Sequence, residues 1–440
     1  MDEPIDLLLE PRWTVTVDGT DRVLEDYAVA VGGGIIADVL PRTDAHARWP
    51  EVERRELPDH ALMPGLVNAH THAAMTLLRG YADDLPLMEW LHEHMWPAES
   101  RWVDEAFIAD GTRLALAEML AGGTTCFQDM YFFPEVTAEL AAEVGMRAVI
   151  GMILLDFPTQ YADGPDAYFS KGLALHDRYR SHPLVSTAFA PHAPYTVSDE
   201  PLERMRTYAD ELDVPVQMHV QETEAECHDS VEIHGERPVA RLERLGLLSP
   251  AFSAVHMTSA TGHEIAAIAQ SGARVIHCPE ANLKLASGFC PVKAFQDAGA
   301  EVALGTDGAA SNNNLDMFGE MQTAALLGKA VAGDAGAVPA PTALRMATIN
   351  GARALGLGEI TGSIEPGKAA DLVAVDLGGL ETQPVYEVVS QLVYAAGRHQ
   401  VTDVWVAGEP QVRAGRLLHL DAEDIGVRAR AWRDRMDAER

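Results

Sequence analysis

The sequence predicts an α/β fold, in which a (β/α)8 TIM-type barrel is combined with a small β-sandwich domain formed from both chain termini. Two observations predict it. Between residues 63 and 362, short β-rich runs alternate with helical segments rich in Ala, Leu and Glu. Strands that alternate with helices indicate parallel βα units, and eight units are typical of a closed barrel. Residues 1–62 and 363–440 instead contain β-rich pieces separated by turn residues.

The two terminal segments have the same sequence pattern, in which short β-rich pieces are separated by turn residues. The first contains "WTVTV" and "YAVAVGGGIIADVL", with Gly and Asp turns and no helix-length periodicity. The second contains "GSIEPGKAADLVAVDL" and "VTDVWVAGEPQV". We therefore expect one composite β-sandwich from residues 1–62 and 363–440, interrupted by the barrel at 63–362. Two separate small β domains are the alternative.

The barrel is predicted from eight β-runs in chain order. They are "LMPGLVNAHTH", "GTTCFQDM", "RAVIGMILL", "LVSTAFAPHAPY", "VPVQMHVQE", "FSAVHM", "ARVIHCPEANL" and "EVALGTDGAASNNN". Helical segments such as "FPEVTAELAAEVG" and "KGLALHDRYR" separate them. This order predicts parallel strands with a crossover helix between neighbours.

Composition excludes several classes of protein. The 440-residue chain is 47% hydrophobic, which is enough for one large domain and a smaller one. Its formal net charge of -33 would repel a phosphate backbone, so we expect no nucleic-acid partner. No apolar run approaches the ~20 residues of a membrane helix. The four cysteines lack CxxC spacing, and we therefore expect a cytoplasmic protein with reduced thiols and no membrane partner.

Candidate ligand and catalytic side chains come from the ends of six of the eight runs. They are His70 with His72, His192, His219 with Glu222, His256, His277 and Asp307. The carboxyl ends of barrel strands share one face, so these side chains should converge. Residues i and i+2 of a strand point to the same side, which lets His70 and His72 reach one ion. With His219 and Asp307 they form a nitrogen-rich set suited to Zn²⁺ or Fe²⁺.

Five stretches in this order and spacing resemble the amidohydrolase superfamily, in its branch of adenosine-type and triazine deaminases. They are "PGLVNAHTH", "MHVQETEAE", "SAVHM", "CPEANLKLASG" and "LGTDGAASNNNLDM". The segments "LPLMEWLHEHMWPAE" and "APHAPYTVS" are similar to 5'-methylthioadenosine/S-adenosylhomocysteine deaminases. The resemblance implies metal-dependent hydrolytic deamination at the adenine 6-amino group of 5'-methylthioadenosine, adenosine and, as a further candidate, S-adenosylhomocysteine. The products would be the inosine analogue and ammonia.

The resemblance also implies roles for single residues. The metal ligands would be His70, His72, His219 and Asp307. A metal-activated water would attack C6 of the purine. Glu222, three residues after His219, would carry a proton to ring nitrogen N1. His256 would hydrogen-bond the water or the developing oxyanion, and Asp307 would assist proton transfer to the leaving ammonia.

Substrate contacts are implied at four positions. They are Glu99, His192, Glu222 and Asp307. Glu99 lies at the offset from His72 where related deaminases carry an acid for the ribose 2'- and 3'-hydroxyls, and a carboxylate can accept from both. His192 resembles a residue that contacts the purine or ribose side. Trp90 and Trp96 are candidates for walls of the adenine pocket, with ordinary core packing as the alternative.

One metal ion is expected rather than two. Dinuclear amidohydrolases carry a carboxylated lysine on the fourth strand, and "VSTAFAPHAPY" contains no lysine. Zn²⁺ is the expected ion, with Fe²⁺ as the alternative. His277 would then orient a loop or contact substrate. Cys-Pro occurs twice, at Cys278 and Cys290, and neither cysteine has the second cysteine that the smaller zinc deaminase fold requires, which excludes that fold.

This sequence departs from the family pattern in one feature, an arginine after the third strand. Members that handle S-adenosylhomocysteine well place an arginine shortly after the third strand, but no arginine occurs between Arg147 and Arg178. Arg147 lies early in that strand and should not reach the site. An apolar pocket lined by Met152, Leu154 and Phe157 is expected instead.

Two other functions stay open. The alternative enzyme is an s-triazine, guanine or other heterocycle aminohydrolase or chlorohydrolase, because that branch shares most of these motifs. Glu222 favours a deaminase, since a proton shuttle helps ammonia leave and matters less for chloride. A non-enzymatic barrel would lack metal ligands, and all four are present. The expected partners are a small purine nucleoside and further copies of the chain in a homo-oligomer.

Overall fold

The computed structural model of the protein describes residues 4–439, and their strands form two sheets. Five strands come first: β1 (Leu7–Val15), β2 (Val23–Glu25), β3 (Tyr27–Gly32), β4 (Ile35–Pro41) and β5 (Glu53–Pro64). Eight follow: β6 (Leu66–Thr71), β7 (Thr124–Asp129), β8 (Arg147–Leu154), β9 (Val185–Pro191), β10 (Val216–Val220), β11 (Phe252–His256), β12 (Arg274–His277) and β13 (Val302–Leu304). The last four are β14 (Leu372–Asp376), β15 (Val401–Val406), β16 (Glu409–Arg413) and β17 (Arg416–Leu417).

The eight strands β6 to β13 form the predicted barrel. They are parallel and pair with their neighbours in chain order. The helices up to the barrel's fifth strand are α1 (Arg42–Arg48), α2 (Leu87–Glu89), a π-helix (Trp90–Met95), α3 (Trp96–Trp102), α4 (Glu105–Ala121), α5 (Pro134–Val144), α6 (Pro165–Tyr179) and α7 (Asp199–Leu212). The later helices are α8 (Glu224–His234), α9 (Pro238–Arg244), α10 (Gly262–Ser271), α11 (Pro279–Lys284), α12 (Val292–Asp297), α13 (Met317–Ala332), α14 (Ala340–Met346), α15 (Ile349–Ala354), α16 (Val388–Tyr394) and α17 (Ala422–Asp437). Short 3-10 helices lie at Ala73–Leu78, Leu380–Thr382 and Arg398–Gln400.

Gly305, directly after the last barrel strand β13, packs closely against the first barrel strand β6. A Cβ at Gly305 would lie 2.7 Å from the backbone nitrogen of His70, so no larger residue fits there without a backbone shift. Two residues further on, the N–H of Asp307 donates to the carbonyl of His70 at 3.0 Å. This contact nearly closes the barrel and brings the ends of β13 and β6 together.

The terminal strands form one mixed sheet of nine strands, as a composite domain requires. Strand β5 lies at its centre, with β1 parallel on one side and β14 antiparallel on the other. Because β1 and β14 come from opposite ends of the chain, two separate β domains are excluded. The expected boundary after residue 62 falls within β5, and the chain enters the barrel after Gly65.

A buried ion pair joins the barrel to the terminal sheet. Arg147 at the amino end of β8 donates from Nε to Asp371 at 2.6 Å and from a second nitrogen at 3.1 Å. The same carboxylate accepts the N–H of Ala407 at 2.7 Å. Arg147 therefore lies at the end of the barrel away from the strand-end histidines, as predicted.

The C-terminal helix α17 packs on α4 of the barrel layer. Trp432 contacts Phe107 edge-on, with ring centroids 5.3 Å apart, and its Nε1 donates to Asp110 at 2.9 Å. None of the helices within residues 4–439 combines the length and the apolar character that a membrane crossing requires.

Candidate active site

The carboxyl ends of the barrel strands open into a cavity of about 470 Å³. Its lining includes six of the predicted strand-end residues: His72, His192, His219, Glu222, His256 and Asp307. The segment 87–100, which contains α2, the π-helix and part of α3, forms one wall, and the loop 155–160 after β8 forms another. His70 is fully buried beside these side chains. The barrel therefore brings the residues predicted from sequence to one place.

Four buried side chains form a group able to hold a metal ion. His70, His219, His256 and Asp307 each offer one ligand atom, and these atoms lie within 4.8 Å of one another. His72 stands against the same carboxylate, with its Nε2 3.0 Å from Oδ1 of Asp307. All four predicted ligands thus surround one point, and His256 lies within the same group.

Hydrogen bonds fix the His70 ring so that Nε2 faces the group. Its Nδ1 lies 2.6 Å from the side-chain oxygen of Gln217. Gln217 in turn donates from its amide nitrogen to the carbonyl of Ala69 at 2.9 Å and to Gln128 at 2.8 Å. Since that network assigns the amide oxygen to His70, Nδ1 carries the hydrogen and Nε2 presents a lone pair.

His72 and His219 are oriented in the same way by backbone carbonyls. Nδ1 of His72 lies 2.5 Å from the carbonyl of Met130, and Nδ1 of His219 lies 2.8 Å from the carbonyl of His192. A carbonyl only accepts, so each Nδ1 donates and each Nε2 is free to ligate.

The donor set itself fits a cation. Nε2 of His70 and Nε2 of His219 face each other at 3.1 Å, and Oδ1 of Asp307 lies 3.4 Å from the former. Two imidazole lone pairs and a carboxylate at these distances repel one another unless a positive charge lies among them. Imidazole nitrogens with one carboxylate suit Zn²⁺ or Fe²⁺.

Glu222 stands beside this group rather than within it. Its Oε1 accepts from the hydroxyl of Ser287 at 3.1 Å, and its Oε2 lies 3.7 Å from Nε2 of His256. Burial, followed by the negative charge of Asp307, raises the pKa of Glu222 to about 8. Such a carboxyl can hold and release a proton near neutral pH.

His256 and Asp307 are held in unusual backbone conformations. The φ angles of His256 and Asp307 are +75° and +60°, in the left-handed region that non-glycine residues rarely adopt. The His256 ring is fixed by Asn282, 2.8 Å from Nδ1, and Asp307 accepts from the hydroxyl of Ser311 at 2.5 Å. Backbone strain of this kind is common where side chains must be aimed at a reacting centre.

Glu99 lies in the wall of the cavity formed by α3. Its carboxylate accepts from the hydroxyl of Tyr131 at 2.7 Å. Burial raises the pKa of Glu99 to about 7, against the lowering effect of that hydrogen bond. Trp90 and Trp96 line the same cavity, as the sequence suggested. The acid predicted to bind ribose is therefore inside the cavity and partly free to accept hydrogen bonds.

The residues at the end of β8 that line the apolar end of the cavity differ by one position from those expected. Phe157 lines the cavity as expected, but the expectation was wrong for Met152 and Leu154, whose neighbours Ile153 and Leu155 line it instead. Alternate residues of a strand face opposite sides. Met152 faces the helical layer and packs against Gly172 of α6. A Cβ added at Gly172 would lie 3.0 Å from the Cβ of Met152.

His277 is placed differently from the other strand-end histidines. It is buried but does not line the cavity. Among the described residues, none is a hydrogen-bond partner for its Nδ1. Burial lowers the pKa of His277 to about 3, so the ring is neutral. Substrate contact by His277 has no geometric support.

The residues that orient the site were not predicted, and Gln217, Tyr131 and Ser287 show why. Gln217 lies two residues before His219 on β10, and the period of two would have placed both on one face of the strand. Tyr131 and Ser287 lie in loops, and the sequence pattern carries no signal for their contacts with Glu99 and Glu222.

Comparison with known proteins agrees with this geometry. The model of the Amidohydrolase family matches residues 61–410. The chain belongs to the amidohydrolase family. A relative in that family, the 5-methylthioadenosine/S-adenosylhomocysteine deaminase of Saccharophagus degradans, is 52% identical over 437 residues, covering 99% of this chain and 98% of that protein.

Two solved structures share the fold. The crystal structure of an adenosine deaminase from Xanthomonas campestris with bound zinc is 55% identical and superposes with a TM-score of 0.96 over all of both chains. An atrazine chlorohydrolase from Arthrobacter aurescens complexed with zinc is 24% identical, with a TM-score of 0.90 over 97% of this chain and 99% of that one. The second likeness concerns the fold alone.

Proposed function

We propose that this amidohydrolase removes the 6-amino group of the adenine ring in 5'-methylthioadenosine and adenosine by hydrolysis. Water supplies the oxygen that becomes the C6 carbonyl, and the amino group leaves as ammonia. The observation that carries the proposal is the buried carboxyl of Glu222, held by Ser287 beside His256 and the ligand group. The 52% identical deaminase and the 55% identical adenosine deaminase support the same reaction class.

His70, His72, His219 and Asp307 would hold one divalent ion, for which we propose Zn²⁺. When bound, such an ion lowers the pKa of water to near 7 and so supplies a nucleophile at neutral pH. A single ion is supported by the lack of a lysine in β9. The zinc in the Xanthomonas campestris structure favours Zn²⁺ over Fe²⁺.

The chain's own residues would move the protons. Glu222 takes a proton from the attacking water and delivers it to N1 of the purine, which lets the ring accept the electron pair. Nδ1 of His256 faces the amide oxygen of Asn282, so its Nε2 can accept a hydrogen bond from the same water. Asp307, with one oxygen bound by Ser311, assists the proton transfer that releases ammonia.

A substrate panel tests this proposal. Ammonia release should be measured with adenosine, 5'-methylthioadenosine, S-adenosylhomocysteine, guanine and a chlorotriazine, together with metal analysis of the same preparation. We expect activity on the adenine nucleosides and about one zinc ion per chain. Activity confined to guanine or to the chlorotriazine would favour the alternative aminohydrolase or chlorohydrolase function.

Glu99→Ala is expected to lower kcat/KM for ribonucleosides more than for 2'-deoxyadenosine. A carboxylate that accepts from both ribose hydroxyls loses both bonds, so kcat/KM for adenosine should fall by about tenfold or more beyond the fall for the deoxy analogue. The measurement is kcat/KM for both substrates. Glu93→Ala, an exposed acid on the π-helix, is the matched control. Equal losses for both nucleosides would show that Glu99 does not bind the sugar diol.

We expect kcat/KM for 5'-methylthioadenosine to exceed that for S-adenosylhomocysteine by about tenfold or more, the loss associated with one partly exposed ion pair. No arginine or lysine occurs among the described residues that line the cavity. A homocysteine carboxylate would therefore lie near Phe157 and Leu155 without a partner, which disfavours its desolvation. Both substrates should be compared in one buffer. Parity would mean that another cation, for instance from a neighbouring subunit, reaches the cavity.

We also propose that the enzyme is cytoplasmic and forms a homo-oligomer. All four cysteines are buried and free, which suits a reducing compartment. Leu380 and Tyr386 are more than nine-tenths exposed, and a subunit interface would cover such side chains. Light scattering of the purified protein would give the number of subunits.

A further inference from the structure

Glu226 binds the stretch of backbone that carries Glu222. Its Oε2 accepts the N–H of Glu222 at 2.8 Å, and its Oε1 accepts the N–H of Gln221 at 3.0 Å. Both oxygens of one carboxylate are thus committed to two consecutive backbone groups. These groups lie between the end of β10 and the start of α8.

This arrangement differs from ordinary helix capping. Thr223 is the N-cap of α8 and accepts the N–H of Glu226 at 3.2 Å. In a capping box, the glutamate three residues after the N-cap returns to the N–H of the N-cap itself. Glu264 does so for Thr261 in α10. Glu226 also accepts the N–H groups of the two residues before Thr223, so it fixes the preceding turn as well as the helix.

The turn that Glu226 binds is strained. Gln221 has a φ of +52°, a conformation that L residues adopt only where the surroundings enforce it. The side chain of Gln221 is also tied down, because its Nε2 donates to the carbonyl of Ser259 at 3.1 Å and to Glu264 at 3.2 Å. Among these partners of Gln221, Glu226 also accepts the N–H of Glu222.

We propose that Glu226 is a positioning residue for deamination, which holds the backbone turn that aims the Glu222 carboxyl at the substrate. The inference rests on the proposed function, in which Glu222 carries the proton. Ser287 fixes the carboxyl end of Glu222, Glu226 accepts its backbone N–H, and the hydroxyl of Thr258 donates to its carbonyl at 2.7 Å. Without Glu226 the strained turn can relax, and a displacement of about 1 Å at a reacting group can cost about a hundredfold in rate.

The predicted ligands do not depend on Glu226. Nδ1 of His70 is held by Gln217, that of His72 by a carbonyl before α5, and that of His219 by the carbonyl of His192. Loss of Glu226 should therefore spare metal binding and affect turnover.

The test uses the full-length, zinc-loaded enzyme with 5'-methylthioadenosine as substrate. Glu226→Ala should lower kcat by about tenfold to a hundredfold, while KM changes less than about threefold and zinc content is unchanged. Glu226→Gln retains one strong acceptor oxygen and should recover part of kcat. The control is Asp421→Ala, since Asp421 also accepts two backbone N–H groups, at 3.0 and 3.1 Å, but at the exposed start of α17. Its kinetics should equal those of the wild type.

A double-mutant cycle separates positioning from general stability. If Glu226 acts through Glu222, then adding Glu226→Ala to Glu222→Gln should cost less than about threefold in the residual rate. The same fold loss in both backgrounds, or wild-type kcat in zinc-loaded Glu226→Ala, would overturn the inference. If Glu226→Ala does not fold, the same cycle with Glu226→Gln decides. A fully active Glu222→Gln enzyme would instead contradict the proposed function.

Discussion

Glu222→Gln is expected to keep its metal and lose turnover by about 10²-fold to 10⁴-fold, the range associated with a lost general acid–base group. The amide has nearly the shape of the acid, and its oxygen can still accept from Ser287. It cannot take a proton from water and pass it to N1. Because burial raises the pKa of Glu222 to about 8, the native side chain can do both near neutral pH.

The measurement is single-turnover and steady-state deamination of 5'-methylthioadenosine, with zinc content determined on the same samples. Glu224→Gln is the matched control, because Glu224 belongs to the same "ETEAE" stretch but its side chain is 79% exposed. It should leave kcat unchanged. A Glu222→Gln enzyme with turnover near that of the wild type would exclude Glu222 as the proton carrier.

The sequence was sufficient to predict where the site lies. In a parallel barrel the carboxyl ends of all strands meet at one face, so strand-end histidines that are far apart in sequence must converge. His70 and His219 are 149 residues apart, yet their Nε2 atoms lie 3.1 Å apart. The topology alone places them together, and the alternation of strands and helices was enough to predict the topology.

The sequence was less informative about which side of a strand faces the cavity. Strand β8 is buried along its whole length, so neither face carries a polar signal. The choice of Met152 and Leu154 over Ile153 and Leu155 therefore had no support from hydrophobic alternation, and it was wrong. Fully buried strands of parallel sheets have this ambiguity in general.

Loop contacts were beyond prediction for a different reason. The positions of Tyr131 and Ser287 depend on the path of two loops, and these paths are set by tertiary packing rather than by local pattern. The long reach of Glu226 to Gln221 and Glu222 is similar. Its sequence context, Thr-Glu-Ala-Glu, predicts an ordinary capping box.

His219→Ala is expected to abolish stoichiometric metal binding and, with it, nearly all activity. His219 provides an Nε2 that faces His70, and its own Nδ1 is held by the carbonyl of His192. Removal leaves His70, His72 and Asp307 on one side of the site, so the ion would lose its ligand from the opposite strand β10. Each protein ligand of a catalytic metal site contributes to its geometry as well as to its charge.

Metal analysis and thermal unfolding with and without added zinc provide the test. A ligand that binds only the folded state raises its stability with concentration, by about 2.7 kcal/mol at a hundredfold excess over Kd. Zinc should therefore raise the Tm of the metal-stripped wild type but not that of His219→Ala. His263→Ala, an exposed histidine on α10, should respond as the wild type does. Stoichiometric zinc in His219→Ala would remove His219 from the ligand set and leave His256, which lies within the same buried group, as the histidine to test in its place.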